Sequence, residues 1–523
     1  MMAFAMGVRV RALLAAAAGL AHALAIAWPG GGQALWWLQL ASVAVLAALT
    51  LQGMQQHLPG RRAFAHGALL GAAFATAWLA CTFWWLFISM HRYGGLPAPL
   101  AAAAVLALAA SLALYYALSL GLLLAWAPRP PWARALMFAA VFLLAELARG
   151  QWFTGFPWGS AGYAHVDGPL AGYAPWVGAY GMAAIAAWLG CSAAQWRSSG
   201  NGLRLSALLV LALPTLVGLV LPKDGAYTRS SADISVALLQ GNIAQDEKFQ
   251  AATGLHTAIA WYGEQLRHPR ASLTVAPETA LPLLPEQLPP DLWAAIQRPF
   301  AQGGHAALIG MPLGERINGY TNAALGWVPG MATYRYDKHH LVPFGEFIPP
   351  MFAWFVRMMN IPLGNFARGG PDQSPMHWQG QRLGPNICYE DLFGEELARR
   401  FAHTATAPTI LVNMSNIAWF GNTIAIDQHL HISRMRALEL QRPMIRATNT
   451  GATVIIDHLG QVTHALPRHT RGVLLGTVQG REGVTPYAYW AARWGLAPLW
   501  ALALLVVGLG FWRRPAARSA GRA

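Results

Sequence analysis

Apolar positions follow two rhythms along this chain. Before residue 223 they form long runs, each close to the roughly 20 residues a helix needs to cross a bilayer. Seven such runs, at about 8–28, 34–51, 64–90, 98–126, 133–148, 173–195 and 204–222, predict seven spanning helices. An eighth, "WGLAPLWALALLVVGLGFW" (494–512), appears near the C-terminus. The fifth run is short and contains Glu146. A carboxylate at that depth either faces the interface or is buried with a partner in the bundle, and the sequence leaves both open.

From 232 to 480 the pattern changes to short β-rich runs alternating with helical stretches. Strand candidates are 234–242, 272–278, 306–312, 320–328, 331–338, 382–390, 409–416, 444–457 and 472–479. Helix candidates lie near 252–267, 290–302, 394–402 and 424–441. Continuous apolar strands interleaved with helices argue for an α/β domain with buried sheets. The expected organisation is a bundle of seven helices over 1–222, a soluble domain over 223–490, and a closing helix with a basic tail over 491–523. There is no internal repeat or low-complexity linker, so the domain is expected to sit directly on the bundle.

Composition sharpens this reading. Of 523 residues, 55% are apolar and only 11% charged, where about a quarter is ordinary for a soluble chain. The net charge of +14 does not point to nucleic acid, because much of the excess is arginine in short loops between apolar runs, and no basic and aromatic cluster accompanies it. That placement suits orientation in a membrane. With the N-terminus inside, the inner loops and tail carry Arg9, Arg11, Arg61, Arg62, Arg129, Arg134, Arg197, Arg204, Arg513, Arg514, Arg518 and Arg522, against Arg92 and Arg149 outside. Eight spans then put both termini in the cytoplasm and the soluble domain outside, in the periplasm of a Gram-negative cell. If the first run were a cleaved signal peptide, one helix would go and the sidedness of the rest would stay.

Within the soluble domain, "NICYEDLF" (386–393) places Cys388 between an apolar strand and two carboxylates. The other two cysteines, Cys81 and Cys191, lie in expected spans, so no disulfide partner is available in the domain. No cluster of ligands at metal spacing surrounds it. His339–His340 and His429-x-His431 read as hydrogen-bonded or surface residues. Two readings remain, an inert core thiol or a nucleophile. A nucleophilic thiol needs a base or a nearby cation, and Glu278 and Lys338 end two other strand candidates.

The motifs "VAPETALP", "YDKHHLVPFGE" and "NICYEDLF" resemble, in that order, the Glu, Lys and Cys motifs of the nitrilase (carbon–nitrogen hydrolase) superfamily; 60 residues separate Glu278 from Lys338 and 50 separate Lys338 from Cys388. "LLQGNIAQDEKF", "KHHLVPFGEFIP" and "RATNTG" are similar to its membrane-bound branch, the apolipoprotein N-acyltransferases. The resemblance covers nearly the whole chain. It implies an α-helical transmembrane bundle of about eight helices carrying a nitrilase-like αββα sandwich. It further implies Glu278 as general base, Lys338 as oxyanion cation and Cys388 as nucleophile, with Glu346, Tyr389 and Glu390 in support. The family pattern often has Trp where this chain has Phe249, another aromatic suited to stacking on substrate. No metal or cofactor is implied.

The implied reaction is a two-step acyl transfer in the inner membrane. A phospholipid gives its acyl chain to Cys388 as a thioester, and the N-terminal amine of a diacylglyceryl-cysteine apolipoprotein accepts it. A monomer is expected. "MFAWFVRMMNIPLGNF" (351–366) reads either as a membrane-facing arm or as a buried helix, and the aromatic loop 150–169 either borders the site or anchors the helices. Two other readings stay open: a membrane-tethered amidase or nitrilase using the same three residues, and a non-catalytic binding protein or transporter.

Overall fold

The computed structural model describes residues 7–512, apart from 57, 127, 129, 197–211, 222–225, 249–250, 316–318 and 349–365. Among the described residues, six helices in the N-terminal part are long and apolar enough to cross a membrane. They are α1 (Val8–Ile26), α2 (Trp36–Met54), α3 (Gly60–Phe83), α4 (Ala98–Trp126), α5 (Pro131–Gln151) and α6 (Ala174–Gln195). The short fifth run is therefore a longer helix than its apolar stretch indicates, because Glu146 and Arg149 are fully buried inside it and paired. The third run, expected over 64–90, ends as a helix at Phe83, and the chain continues through a separate turn to Tyr93. The expected span 204–222 lies partly outside the described residues; 212–220 within it is helical.

Two six-stranded sheets follow, packed face to face. The first is ordered β12-β1-β2-β3-β4-β5, with β1 (Thr228–Gln240), β2 (Leu273–Val275), β3 (Ala306–Glu315), β4 (Gly319–Trp327), β5 (Tyr334–Asp337) and β12 (Gly472–Gly483). The second is ordered β11-β10-β9-β8-β7-β6, with β6 (Met376–Trp378), β7 (Gln381–Ile387), β8 (Ile410–Ser415), β9 (Met444–Thr448), β10 (Val454–Ile456) and β11 (Val462–Ala465). The central strands are parallel in each sheet, β1 to β2 to β3 and β7 to β8 to β9, which explains their unbroken apolar runs. Val236, Leu238, Val275, Leu308, Ile387, Val412 and Ile445 fill the space between the sheets.

The expected strand 444–457 is two antiparallel strands, β9 and β10, because the chain turns back between Thr448 and Val454. The edge strands β6 and β11 were not anticipated; they are three and four residues long, too short to show an alternating pattern.

Helices α7 (His256–Arg267) and α8 (Pro290–Gln302) cover the outer face of the first sheet through Tyr262, Ile296 and Phe300. Helices α9 (Gly394–Arg399) and α10 (Ala425–Leu440) cover the second. Their other side packs on the membrane helices: Leu397, Ile432 and Met435 share one apolar core with Leu46, Phe74, Phe142 and Met182. One α layer of the αββα sandwich is thus also the floor of the bundle. The chain ends with α11 (Pro486–Trp494) and α12 (Ala497–Trp512), bent by 88° to one another. The closing apolar run is therefore a straight helix only from Ala497.

Candidate active site

The carboxyl ends of β2, β5 and β7 lie on one edge of the sandwich, and each delivers one polar group there. Glu278 follows β2, Lys338 follows β5 directly, and Cys388 follows β7 directly. Crevices at the carboxyl ends of parallel strands are the usual place for a site in open α/β sheets. Cys388 begins a helical turn (Cys388–Leu392) with a left-handed φ of +53°. This sharp strand-to-helix corner leaves the thiol half-buried rather than packed away.

Lys338 is 1% exposed, and its ammonium donates to Glu278 Oε1 at 3.2 Å and Glu346 Oε1 at 2.9 Å. The Asn322 amide donates to the same two oxygens, at 2.7 Å each. Glu278 Oε2 accepts the backbone N–H of Asn416 at 2.9 Å, and Glu346 Oε2 accepts that of Val342 at 2.8 Å. Both carboxylates are therefore locked in place. Gly310 makes this possible: a Cβ there would lie 2.2 Å from the Pro277 carbonyl oxygen, immediately before Glu278.

Burial works against the charge on Lys338, but Glu278 and Glu346 outweigh it and hold the ammonium above its usual range. The Cys388 thiol shows the opposite balance. Burial, reinforced by the Glu278 charge, pushes it up to about 12, against a downward pull from Lys338 and a contact with Ser415. At neutral pH the resting thiol is protonated, with a carboxylate and an ammonium within its electrostatic reach. A second buried amine, Lys248, donates to the Glu278 carbonyl at 3.3 Å. Burial lowers it to about 8, although Glu278 pulls it back upward.

Glu390 accepts from the backbone N–H of His339 at 2.7 Å, of His340 at 3.2 Å and of Ile387 at 2.6 Å, and from the Tyr336 hydroxyl at 2.9 Å. It joins the segment bearing Lys338 to the one bearing Cys388, which is a supporting place. Tyr389 donates its hydroxyl to the carbonyl of Gly155, in the aromatic loop after α5, at 3.0 Å. Phe249 and, of the stretch 351–366, all residues but Phe366 lie outside the described residues.

Several neighbours were not singled out as site residues by the sequence, although Lys248 lies within "LLQGNIAQDEKF" and His429 within the His429-x-His431 pair. Asn322 lies mid-strand in β4, Asn416 just past β8, and Lys248 in a loop beside Glu278. His429, on the buried helix α10, donates from Nε2 to the Cys388 carbonyl at 3.2 Å. The tautomer follows from Arg446, which can only donate and sits 2.8 Å from Nδ1. Burial and then Arg446 hold His429 well below its usual range, so the ring is neutral. Among the described residues no cluster of three or more His, Cys, Asp or Glu could hold a metal ion.

The fold and this edge define a carbon–nitrogen hydrolase domain seated on a membrane bundle. Residues 235–487 match the Carbon-nitrogen hydrolase family and residues 18–192 the Apolipoprotein N-acyltransferase N-terminal domain. The chain is 57% identical to the Apolipoprotein N-acyltransferase of Verminephrobacter eiseniae, over 92% of each chain. It is 46% identical to that of Ralstonia nicotianae, over 98% of this chain and 95% of the relative. With that of Bordetella bronchiseptica it shares 40% identity over 96% of each. The chain belongs to the apolipoprotein N-acyltransferase family.

Proposed function

We propose that the protein transfers an acyl chain from a membrane phospholipid, through a Cys388 thioester, to the N-terminal amine of a diacylglyceryl-cysteine apolipoprotein. The observation that carries this is the convergence of Glu278, Lys338 and the Cys388 turn on the one edge of the sandwich that docks on the bundle.

In the first step Glu278 takes the thiol proton as sulfur attacks the ester carbonyl, because a thiol held near 12 is a poor nucleophile without a base. Negative charge forms on the carbonyl oxygen, where Lys338 and the backbone N–H of Tyr389 stabilise it; one such donor is worth about 3 kcal/mol. The carbon–oxygen bond breaks, Glu278 returns the proton to the leaving oxygen, and lysophospholipid departs. In the second step the acceptor amine attacks the thioester and Glu278 accepts its proton. The carbon–sulfur bond breaks and the proton passes back to sulfur. Glu346, Asn322 and Glu390 keep Lys338 and Glu278 in register, and Phe249 contributes an aromatic face for substrate. Each step is carried by groups of this chain, side chains and one backbone N–H, and calls for no metal or cofactor.

The chain divides into a bundle over 1–222, a catalytic domain over 223–490 and a closing helix with basic tail over 491–523. The catalytic domain faces the periplasm, both termini face the cytoplasm, and the protein works as a monomer. The same residues could pass the acyl group to water. Docking of the catalytic edge on membrane helices favours transfer instead, since both lipid-anchored substrates arrive there along the bilayer. The test is incubation in vesicles with labelled phospholipid and a diacylated peptide. Label on the peptide's N-terminal amine together with lysophospholipid supports the transferase. Labelled free fatty acid, unchanged by adding peptide, would establish the hydrolase.

A further inference from the structure

We infer that the buried pair Glu146–Arg149 in the membrane bundle is a positioning device for the Cys388 turn. This rests on the acyl-transfer reading above. Both side chains are fully buried on α5, one turn apart, and bonded at 3.1 Å. A buried ion pair is worth little as glue, since an apolar pair of the same volume packs as well or better. Inside a membrane such a pair usually marks function.

The remaining bonds of the pair show what it holds. Arg149 Nη1 donates to the carbonyls of Phe156 at 2.7 Å and Trp158 at 2.8 Å, and Nε donates to the Tyr116 hydroxyl at 3.0 Å. Glu146 accepts from the hydroxyls of Tyr116 and Ser160 and from the Ala161 N–H at 3.2 Å. Most of these partners lie in one loop, 156–161, so the pair fastens that loop to α5. The loop leaves α5 through a corner at Gly155, whose φ of +76° suits glycine and where a Cβ would lie 2.0 Å from the Gly150 carbonyl oxygen.

The far side of this loop meets the nucleophile by two routes. Along the first, the Gly155 carbonyl accepts the Tyr389 hydroxyl at 3.0 Å, and the Phe156 ring stacks on Tyr389. Along the second, the Trp158 indole donates to Gln428 at 2.9 Å and its ring lies 5.3 Å from His429, which donates to the Cys388 carbonyl. Tyr389 and the Cys388 carbonyl flank the thiol, so both routes bear on the same corner. A shift of the loop moves that corner relative to Glu278 and Lys338, which the sheets hold separately.

The test is single-turnover formation of the Cys388 thioester from phospholipid in vesicles, measured on monodisperse, folded protein at several donor concentrations. Glu146→Gln and Arg149→Lys are expected to lower the saturating rate between about tenfold and a hundredfold, the scale at which misplacement of reacting groups acts. Half-saturation by donor should stay where it is. Tyr389→Phe removes the hydroxyl contact between loop and site, and Trp158→Phe the indole bond to Gln428 on the helix that carries His429; both leave Glu146 and Arg149 in place and keep the test open if the bundle variants do not fold. Both should lower the saturating rate, and Glu146→Gln combined with Tyr389→Phe should lose little more than the worse single change. Rates within twofold of wild type in the folded variants, or losses that multiply in the double variant, would overturn the inference. A wild-type protein that forms no thioester would instead remove the acyl-transfer reading, and this inference with it.

Discussion

Cys388 sits where a strand gives way to a helical turn, in a left-handed conformation that costs a residue other than glycine about 1–3 kcal/mol. The bonds around it oppose that cost: Glu390 ties Ile387 to the Lys338 segment, and His429 holds the Cys388 carbonyl. The upward shift of the thiol has a direct consequence, since a raised value keeps the neutral form to higher pH. With Cys81 and Cys191 replaced by alanine, alkylation of the resting enzyme by iodoacetamide at pH 8 is predicted to be at least about a hundredfold slower than for a free thiol. The rate should climb through pH 10 without levelling off. Lys338→Met should slow it further, because the ammonium is the downward pull on the thiol. A plateau near pH 8.5 would show a thiol that is not held neutral. Glu278, Lys338 and Cys388 were legible in the sequence because each ends an apolar strand in a recognisable motif. Asn322 and Asn416 were not, since their roles depend on which strands lie side by side.

Among the elements, α10 shows most clearly why burial is hard to read from sequence. It carries Asp427, Gln428, His429, His431, Arg434, Arg436 and Glu439, all buried, because it lies between a sheet and the membrane helices. Several of those polar groups are used in docking. Gln428 accepts from the indoles of both Trp85 and Trp158 at 2.9 Å, and its amide donates to the Thr82 carbonyl at 3.3 Å. His431 bonds the Gly32 carbonyl at 2.7 Å, and Arg434 pairs with Asp167. Gln428→Leu would leave two buried indole donors unpaired, at about 1–3 kcal/mol each. The midpoint of thermal unfolding in detergent is predicted to fall by about 5 °C or more; an unchanged midpoint would mean that the docking does not depend on Gln428. The long central strands were legible by their apolar runs. The β9–β10 corner was read through as one strand although Asn449, Thr450 and Gly451 interrupt the apolar residues there, and the bend before α12 was missed because it depends on α11 packing against α6 and α9.

At the scale of the whole molecule, the division into membrane and soluble parts follows from composition alone, and the sharing of one apolar core between them does not. That sharing holds the candidate site against the membrane helices, so the proposed sidedness becomes a testable property of the chemistry. In a background lacking the native cysteines, Arg298→Cys, exposed on α8, should react with a membrane-impermeant maleimide from outside the cytoplasmic membrane. Arg61→Cys, exposed at the start of α3, should react only from within. The reverse pattern would place residues 223–490 in the cytoplasm and contradict the proposed orientation. The most direct measurement of the chemistry is the intact mass of the protein after incubation with phospholipid and no acceptor. A gain of one acyl chain, released by hydroxylamine, absent in Cys388→Ala and cleared by adding a diacylated peptide, is the predicted result. A peptide that becomes acylated by the Cys388→Ala protein, or an acyl adduct that survives that substitution, would contradict it.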